Sequence, residues 1–306
     1  MIKKIILNIL LIIVTVIVLD FIIGKTLHHF YFTETSGLHY RTTYSIDSTM
    51  ADVLVFGSSR ANHHYVPEVF EDSLKMSFYN TGRDGNSILY TLAVFNSITN
   101  RYTPKVIIID MMMMELYYNA QSYERLASLL PYYNNHPELQ SVVQLRGPFE
   151  KYKLLSSIYP FNSSLLTIAV GNLELNKKRK EDNKGYVPLY NGLTDTTRIS
   201  LDEISLIIDS TNIEALKFIC NYSKEKNILL LLVHSPLYAK SKLINTSKIF
   251  DKIAKENGAY YLNYMHNQLF VNQPEYFRDQ VHLNDEGAKL FSSIITHRIK
   301  SGNLVK

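Results

Sequence analysis

Two short motifs near opposite ends of the chain contain the residue types of a serine hydrolase. Gly57–Arg60, with the sequence Gly-Ser-Ser-Arg, follows the apolar run Val53–Phe56, and Asp279–His282, with the sequence Asp-Gln-Val-His, lies near the C-terminus. A serine hydroxyl is a weak nucleophile at neutral pH, so it needs a base within hydrogen-bond distance and a carboxylate that orients this base. One loop can supply both groups.

Each motif is also common in ordinary loops and helix caps. Their positions favour a functional site, because the serine pair follows an apolar run typical of a buried strand and the histidine directly precedes the last predicted helix. An open α/β sheet binds its ligands at the carboxyl ends of its strands. The two motifs together therefore predict an active site.

The serine motif resembles the first sequence block of the SGNH (GDSL-type) hydrolases. In that block a Gly-Asp-Ser follows the first strand and its serine is the nucleophile, and the matching residues here are Gly57–Ser59. The resemblance therefore identifies Ser59, rather than Ser58, as the nucleophile. Asp279 and His282 match the family's final Asp-x-x-His block, which implies that His282 is the base and Asp279 its carboxylate partner.

A second segment, Asn80–Ser87, resembles the family block whose glycine donates a backbone N–H to the oxyanion hole. By its spacing from Asn80 this glycine is Gly85, with Gly82 as the alternative. The resemblance implies an oxyanion hole made by the N–H groups of Ser59 and Gly85.

The third block departs from the family pattern. The family usually has Gly-x-Asn-Asp after the next strand, and this asparagine is a further oxyanion donor. Here the apolar run Val106–Asp110 continues directly into Met111–Met114 and Glu115, without an asparagine. Loss of one oxyanion donor costs roughly 3–4 kcal/mol of transition-state stabilisation in other hydrolases. We expect either a substitute donor or an activity that is slow, specialised or absent.

Over about residues 51–300, through four short stretches, the chain resembles a membrane-anchored branch of the superfamily. Proteins of D-alanine transfer to teichoic acids and of alginate-type polysaccharide O-acetylation begin with a similar first block and often lack the third. The resemblance implies a serine esterase or acyltransferase, with acetyl as the expected acyl group, acting on a cell-envelope polysaccharide or glycan. The alternative is a catalytically inactive glycan-binding or scaffold protein of an envelope assembly.

The N-terminus independently predicts a membrane anchor. After Lys3 and Lys4, the segment Ile5–Gly24 is almost wholly aliphatic, and about 20 apolar residues suffice to cross a bilayer. No Ala-x-Ala pattern follows it, which favours an uncleaved anchor over a signal peptide. The lysine pair predicts a cytoplasmic N-terminus and a periplasmic or extracellular domain. Asp20 lies close enough to the outer end of the segment to reach the headgroups.

Composition predicts one catalytic domain behind this anchor. We interpret residues 1–24 as the anchor, 25–50 as a juxtamembrane linker and 51–306 as one SGNH hydrolase-like domain. The single cysteine, Cys220, excludes an intramolecular disulfide. The net charge of +4 does not indicate nucleic acid. Neither a cofactor nor a metal site is predicted, because His63-His64 has no partners at metal-ligand spacing.

Alternating apolar runs and helical patterns predict the fold class. Strands are predicted at 52–56, 76–79, 106–109, 228–233 and 259–262, and helices at about 87–100, 212–226, 245–257 and 285–300. The alternation predicts an α/β, flavodoxin-like three-layer αβα sandwich with a parallel sheet. A mainly helical insertion at about 119–205 contains the charged run Lys177–Asp182, which is typical of a solvated helix end.

Four further residues are candidates for substrate binding. Arg60 and Arg83 flank the first two blocks and can hold an anionic group or pair with Asp84. His234 ends a predicted strand, and Tyr186 lies in a Gly-Tyr-x-Pro turn similar to turns in the membrane-anchored SGNH proteins. The 22 tyrosines can stack on sugars or simply pack. Besides a glycan or other acyl ester and the membrane, a transferase would need a multi-spanning acyl-donor membrane protein as partner.

Overall fold

The computed structural model describes residues 1–175, 183–201, 207–241 and 244–302. The charged run Lys177–Asp182 lies outside the described residues. Seven strands occur in these ranges: β1 Val53–Gly57, β2 Phe78–Asn80, β3 Val106–Asp110, β4 Ser200–Leu201, β5 Leu229–His234, β6 Lys240–Ser241 and β7 Tyr260–Asn263.

The helices surround these strands. In chain order they are α1 Ile2–Phe32, α2 Gly37–Asp47, α3 Ser59–His64, α4 Pro67–Leu74, α5 Ile88–Arg101, α6 Ala120–Glu124, α7 Pro137–Gln144, α8 Glu150–Lys153, α9 Leu165–Asn172, α10 Ser210–Glu225, α11 Ile244–Asn257, α12 Gln268–Val271 and α13 Asp285–Ser301. Short 3-10 helices lie at Arg125–Tyr132, Tyr159–Phe161 and Pro274–Tyr276.

Five parallel strands form the main sheet in the order β2-β1-β3-β5-β7. Counted along the chain within this sheet, the order is 2-1-3-4-5, which is the flavodoxin-like order. Strand β3 is buried along its whole length, as an apolar Val/Ile run between two helical layers should be. The predicted three-layer fold with a parallel sheet is confirmed.

Alternation along the strands divides the core into two layers. In β1, Leu54 and Phe56 face a layer with α5 and α10, whereas Val53 and Val55 face a layer with α4 and α13. Successive strand side chains point to opposite faces, so each strand contributes to both layers. The sheet thereby holds all its carboxyl ends at one edge, where β1 leads directly into α3 and the serine motif.

The N-terminal helix is longer than the predicted anchor. Helix α1 runs from Ile2 to Phe32 and is long and apolar enough to cross a membrane, with its most apolar window fully exposed. A membrane anchor and a signal sequence both fit this description.

Residues 25–50, interpreted from sequence as a linker, form the end of α1 and the helix α2. Tyr31 and Ile46 from this segment are buried in the core layer of α5. The Arg101 side chain donates hydrogen bonds to the carbonyl oxygens of Ile46, at 2.9 Å, and Thr49, at 3.0 Å. The sequence did not predict these contacts, because the segment is polar and has no long apolar run. It is held by single buried side chains and by hydrogen bonds to its backbone carbonyl groups.

The insertion is mainly helical in its described part, where it contains α6–α9. Its one strand, β4, has two residues and pairs with β6.

Candidate active site

Ser59 is the first residue of α3 and lies two residues after Gly57, the last residue of β1. Gly57 has a φ of 138°, and a Cβ there would lie 2.6 Å from the carbonyl oxygen of Asp110 on β3. Only glycine fits this close approach of two strand ends. Ser58 is the N-cap residue and is buried, whereas Ser59 is partly exposed.

Asp279 and His282 lie in a tight turn before α13. The carboxylate of Asp279 accepts hydrogen bonds from the backbone N–H groups of Val281 and His282, both at 2.9 Å. The N–H of Arg278 donates to the carbonyl oxygen of His282 at 2.8 Å and closes the turn. The i, i+3 spacing thus places the two side chains next to each other.

The structure brings Ser59, His282 and Asp279 into one chain of hydrogen bonds. The His282 Nε2 atom lies 2.7 Å from Ser59 Oγ, and its Nδ1 atom lies 2.9 Å from Asp279 Oδ2 and 3.0 Å from Oδ1. An ionised carboxylate only accepts, so Nδ1 carries the proton and Nε2 is free to accept from the serine hydroxyl. This tautomer is the one a general base needs.

Asp279 stays ionised in this arrangement. Burial raises the pKa of Asp279, but the hydrogen bonds from His282 and from the Val281 backbone outweigh it and lower the pKa to about 2. The aspartate side chain is about half exposed and that of His282 is one-fifth exposed, so the site opens to solvent.

The second block, Asn80–Ser87, lies against α3. A Cβ at Gly82 would lie 2.7 Å from the backbone nitrogen of Asn62, and the Gly82 N–H donates to Asn80 Oδ1 at 2.9 Å. Gly85 has a φ of 73°, and its N–H has no acceptor among the described residues. Gly85 is therefore freer than Gly82 to donate to an oxyanion.

The third block contributes apolar side chains. Met113 packs with Leu237, Met265 and Val281, and so supports the turn that holds Asp279 and His282. Met112 and Met114 line a pocket of about 390 Å³, together with residues that include Ser87, Glu115, Tyr117 and Tyr118. Methionine has no N–H or O–H donor, so the run supplies no replacement for the missing asparagine side chain.

The two candidate arginines are buried and occupied. Arg60 Nη2 lies 3.2 Å from Asp110 Oδ1 and donates to the carbonyl oxygen of Met111. Arg83 donates to Thr42 Oγ1 and lies over the ring of Tyr90. Both arginines are less than a tenth exposed, so neither side chain offers its charge to a substrate in solvent. Their expected pairing with Asp84 is not found either; that carboxylate contacts His63 and Asn62.

His234 and Tyr186 are buried as well. His234 lies 2.6 Å from the hydroxyl of Tyr261 through Nδ1 and packs edge-on against Phe250, and burial lowers its pKa to about 3. Tyr186 donates to Asp285 at 2.8 Å. Both side chains therefore pack inside the fold and do not face solvent.

Two histidines, His63 and His64, were considered in the sequence only as metal ligands, but they border the site. His63 is four residues after Ser59 on the same helix face, and its ring lies 5.7 Å from that of His282. Its Nδ1 donates to the carbonyl oxygen of Val187 at 2.6 Å, and Nε2 lies 3.4 Å from Asp84. The i, i+4 spacing is the sequence signal that points to this position.

His64 faces the interior and connects the two halves of the site. The Leu283 N–H donates to His64 Nε2 at 2.9 Å, so His64 Nδ1 carries the proton and donates to Ser235 Oγ, also at 2.9 Å. Burial, followed by the nearby His282 and Arg60, lowers the pKa of His64 well below its ordinary value. A neutral histidine thus joins α3 to the residue after His282.

No protein-family model and no curated protein matches the chain. Solved structures with a related fold include a candidate platelet activating factor from Streptococcus pneumonia (11% identity, 95% of this chain and 98% of that chain, TM-score 0.44). A candidate acylhydrolase from Bacteroides fragilis NCTC 9343 has 12% identity over 88% of this chain and 99% of that chain, with a TM-score of 0.45. Matches with such low sequence identity and TM-score determine neither the family nor the reaction of this chain.

A candidate lipolytic protein of the G-D-S-L family from Desulfitobacterium hafniense DCB-2 has 11% identity over 80% of this chain and 97% of that chain, with a TM-score of 0.39. It too is a similar structure and no more than that.

Proposed function

We propose that the chain is a membrane-anchored serine esterase or acyltransferase of the SGNH type, with its catalytic domain outside the cytoplasm. The observation that carries the proposal is the hydrogen-bond chain from Ser59 through His282 to Asp279. Its three members come from two segments more than 200 residues apart in sequence, and each has the tautomer or charge that nucleophilic catalysis requires.

In this proposal His282 Nε2 removes the hydroxyl proton as Ser59 Oγ attacks the carbonyl carbon of an ester. Asp279 orients the imidazole and stabilises the imidazolium that forms. The N–H groups of Ser59 and Gly85 hold the negative oxygen of the tetrahedral intermediate. His282 then gives the proton to the leaving alcohol, and an acyl group remains on Ser59.

Water or a sugar hydroxyl then accepts the acyl group. The site is open to solvent on the side of Asp279 and His282, which suits hydrolysis. A transferase would need an acceptor or a partner that excludes water, and the proposed partner is a multi-spanning acyl-donor membrane protein. The proposed substrate class, an O-acetylated envelope polysaccharide or glycan, rests on the resemblance to the membrane-anchored branch.

The anchoring part of the proposal rests on α1. Lys3 and Lys4 precede its apolar run, and positive residues favour the cytoplasmic side. A cytoplasmic N-terminus places the domain in the periplasm or outside the cell.

The alternative is an inactive glycan-binding or scaffold protein, and one observation favours it. Met111–Met114 stand where the family has an oxyanion asparagine, and they bring no donor side chain.

The test compares Ser59→Ala with Ser58→Ala in the full chain. Ser58 is adjacent and buried, and its side chain makes no capping hydrogen bond, so Ser58→Ala is the matched control. We expect Ser59→Ala to abolish labelling by a fluorophosphonate and to lower p-nitrophenyl acetate turnover by roughly 10³-fold or more. Ser58→Ala should keep both activities.

If the wild-type protein shows a normal thermal unfolding transition but is not labelled, the result would contradict the proposed enzymatic activity and favour the glycan-binding alternative. Equal labelling of wild type and Ser59→Ala would instead show that another residue is the nucleophile.

A further inference from the structure

The insertion carries an unusual number of exposed apolar side chains on helices α8 and α9 and their flanks. We call this set the insertion surface; its members are Phe149, Tyr152, Leu155, Leu165 and Leu166. Their exposed fractions range from 47% at Leu165 to 82% at Leu155 and Leu166. Single exposed leucines are normal on soluble proteins, but a contiguous set of large apolar residues marks a site of contact with a partner or a membrane.

Helix α9 is apolar on both its faces. Its sequence, Leu-Leu-Thr-Ile-Ala-Val-Gly-Asn, contains no charge. Ile168 packs into the core, whereas Leu165, Leu166 and Ala169 are exposed. A helix on the surface of a soluble domain normally presents charged or polar residues to water. The exposed side of α9 therefore has the composition of a surface that faces hydrocarbon.

The insertion surface is attached directly to the membrane-anchor helix. Asp20 accepts hydrogen bonds from Ser156 Oγ at 2.5 Å and from the N–H of Ser157 at 2.6 Å. A Cβ at Gly24 would lie 2.3 Å from Ser157 Cβ, so the loop packs against the helix backbone. Farther along α1, Asn172 Nδ2 at the end of α9 donates to the carbonyl oxygen of Phe30 at 2.9 Å.

These contacts determine the depth of the loop relative to α1. At 1.5 Å per residue, the apolar run from Ile5 to Ile23 is about 28 Å long, close to the roughly 30 Å of a bilayer's hydrocarbon core. Asp20 lies about 5 Å below the outer end of this run. Since Ser156 and Ser157 bond to Asp20, the adjacent Leu155 lies near this level. The end of α9 lies farther out, because Asn172 bonds to Phe30, about 10 Å beyond Ile23.

We propose that the insertion surface is embedded in the outer part of the lipid bilayer beside α1, so that the domain contacts the membrane at a second place. The proposal rests on the membrane anchoring of the proposed function. The occupant is lipid because the surface is continuous with a helix whose apolar residues need the same environment. Lys151 is exposed within it and suits the phosphates of the headgroup region, whereas Lys153 is paired with the buried Glu150.

The bonds to Asp20 also fit this placement. A carboxylate near hydrocarbon is costly unless it is hydrogen-bonded, and the loop at Ser156–Ile158 supplies the donors.

The experiment places an environment-sensitive fluorophore on single introduced cysteines in the full chain. Leu155→Cys and Leu166→Cys report on the insertion surface, Ile13→Cys on the middle of α1, and Leu269→Cys, an exposed leucine on α12, is the matched control. The native Cys220 is buried, and burial raises its thiol pKa to about 12, so it does not react. The protein is reconstituted in phosphatidylcholine vesicles with and without nitroxide on the acyl chains.

We expect blue-shifted emission and strong nitroxide quenching at Leu155 and Leu166, approaching that at Ile13, and neither effect at Leu269. Equal behaviour of Leu155, Leu166 and Leu269 would overturn the proposal. A blue shift without quenching would also overturn it, because protein, either a second copy or another chain, would then cover the surface.

Absence of quenching at Ile13 would overturn both this proposal and the anchoring. The Ser59→Ala comparison in detergent tests the chemistry separately, so the two failures are distinguishable.

Discussion

Three histidines surround the serine, and their surroundings give them different chemistry. His282 bonds to a carboxylate through Nδ1 and to the serine hydroxyl through Nε2, which prepares it to accept a proton. His64 is buried between a serine and a backbone N–H and stays neutral. His63 lies between a carbonyl oxygen and Asp84 at the cleft. The hydrogen-bond partners of each histidine thus decide its role. His282 can act as a base, His64 accepts from a backbone N–H, and His63 donates to a carbonyl oxygen.

We predict that His64 is a positioning residue for His282. His64→Asn retains a donor near Nδ1 but loses the acceptor for the Leu283 N–H, whereas His64→Gln can still place an oxygen near Nε2. We expect His64→Asn to lower kcat/KM for p-nitrophenyl acetate by roughly 10- to 100-fold, because a displaced base loses alignment. His64→Gln should recover most of that loss. Equal losses in the two variants at equal thermal stability would refute the role.

We predict that the stability of the folded protein depends on pH through the buried carboxyl group of Glu115. Burial raises the pKa of Glu115 from 4.5 to about 7, although the Ile88 N–H at the start of α5 opposes the shift. The folded state then binds more protons than the unfolded state, so its stability falls as pH rises from about 4.5 to 7. We expect Glu115→Gln to gain up to about 3 kcal/mol of unfolding free energy at pH 8, and no gain at pH 4.5. Denaturant unfolding at the two pH values measures this.

Glu138→Gln provides a control of opposite sign. Burial raises the pKa of Glu138, but its hydrogen bonds, including those from His136 and Ser97, outweigh this effect and lower the pKa. This variant should be less stable than wild type at pH 8. A gain from Glu115→Gln that is the same at both pH values would contradict the interpretation.

At the scale of elements, residues 25–50, between the apolar run of α1 and β1, are part of the core. Tyr31 stacks on His39 and meets Tyr132 edge-on, and Ile46 is fully buried. Arg83, within the second block, donates to Thr42 on α2. Helix α2 therefore supports the loop that holds Gly85.

We predict that the domain tolerates loss of residues 1–24 but not of residues 1–47. The longer deletion removes the buried side chains of Tyr31 and Ile46, and it takes the Thr42 hydroxyl from Arg83 and the Ile46 carbonyl oxygen from Arg101. Removing large buried side chains costs several kcal/mol each, so we expect insoluble protein or a large drop in Tm. Thermal unfolding of the two shortened chains in detergent measures the difference. Similar Tm values for both would show that α2 is dispensable.

At the scale of the whole molecule, the candidate active site and the apolar helix α1 contact different parts of the fold. Ser59 lies at the carboxyl edge of the sheet, after β1, whereas α1 is hydrogen-bonded to the insertion through Asp20 and Asn172. Because α1 contacts the insertion at both Asp20 and Phe30, the domain cannot rotate freely relative to α1. With the insertion surface in the bilayer, the cleft would keep a set orientation toward the envelope.

Much of this arrangement follows from local sequence patterns. The buried strands and the long amphipathic helices are strong periodic signals, and the predicted strand at 106–109 and helix at 285–300 match β3 and α13 within one residue. The turn of Asp279–His282 is equally local, since the carboxylate and the ring are three residues apart and the carboxylate also accepts from the backbone N–H groups of the turn.

The short elements and the roles of the charged residues did not follow from sequence. Helix α3 has six residues, too few for a periodic signal, and yet it decides that His63 lies beside the ring of His282, that Arg60 pairs with Asp110 and that His64 bonds to Ser235. Arg60 is typical of a substrate-binding residue by its position next to Ser59, and only the presence of Asp110 beneath it explains its burial.

The sequence by itself determined the parallel sheet, the apolar N-terminal helix and the residue types available at the site, because these depend on periodicity and composition within short windows. Only the tertiary structure decided that Ser59 and His282 meet at 2.7 Å, that the polar segment 25–50 belongs to the core and that the insertion contacts α1. Those results depend on contacts between residues far apart in the chain, which burial and hydrogen-bond satisfaction select only when the whole domain is packed.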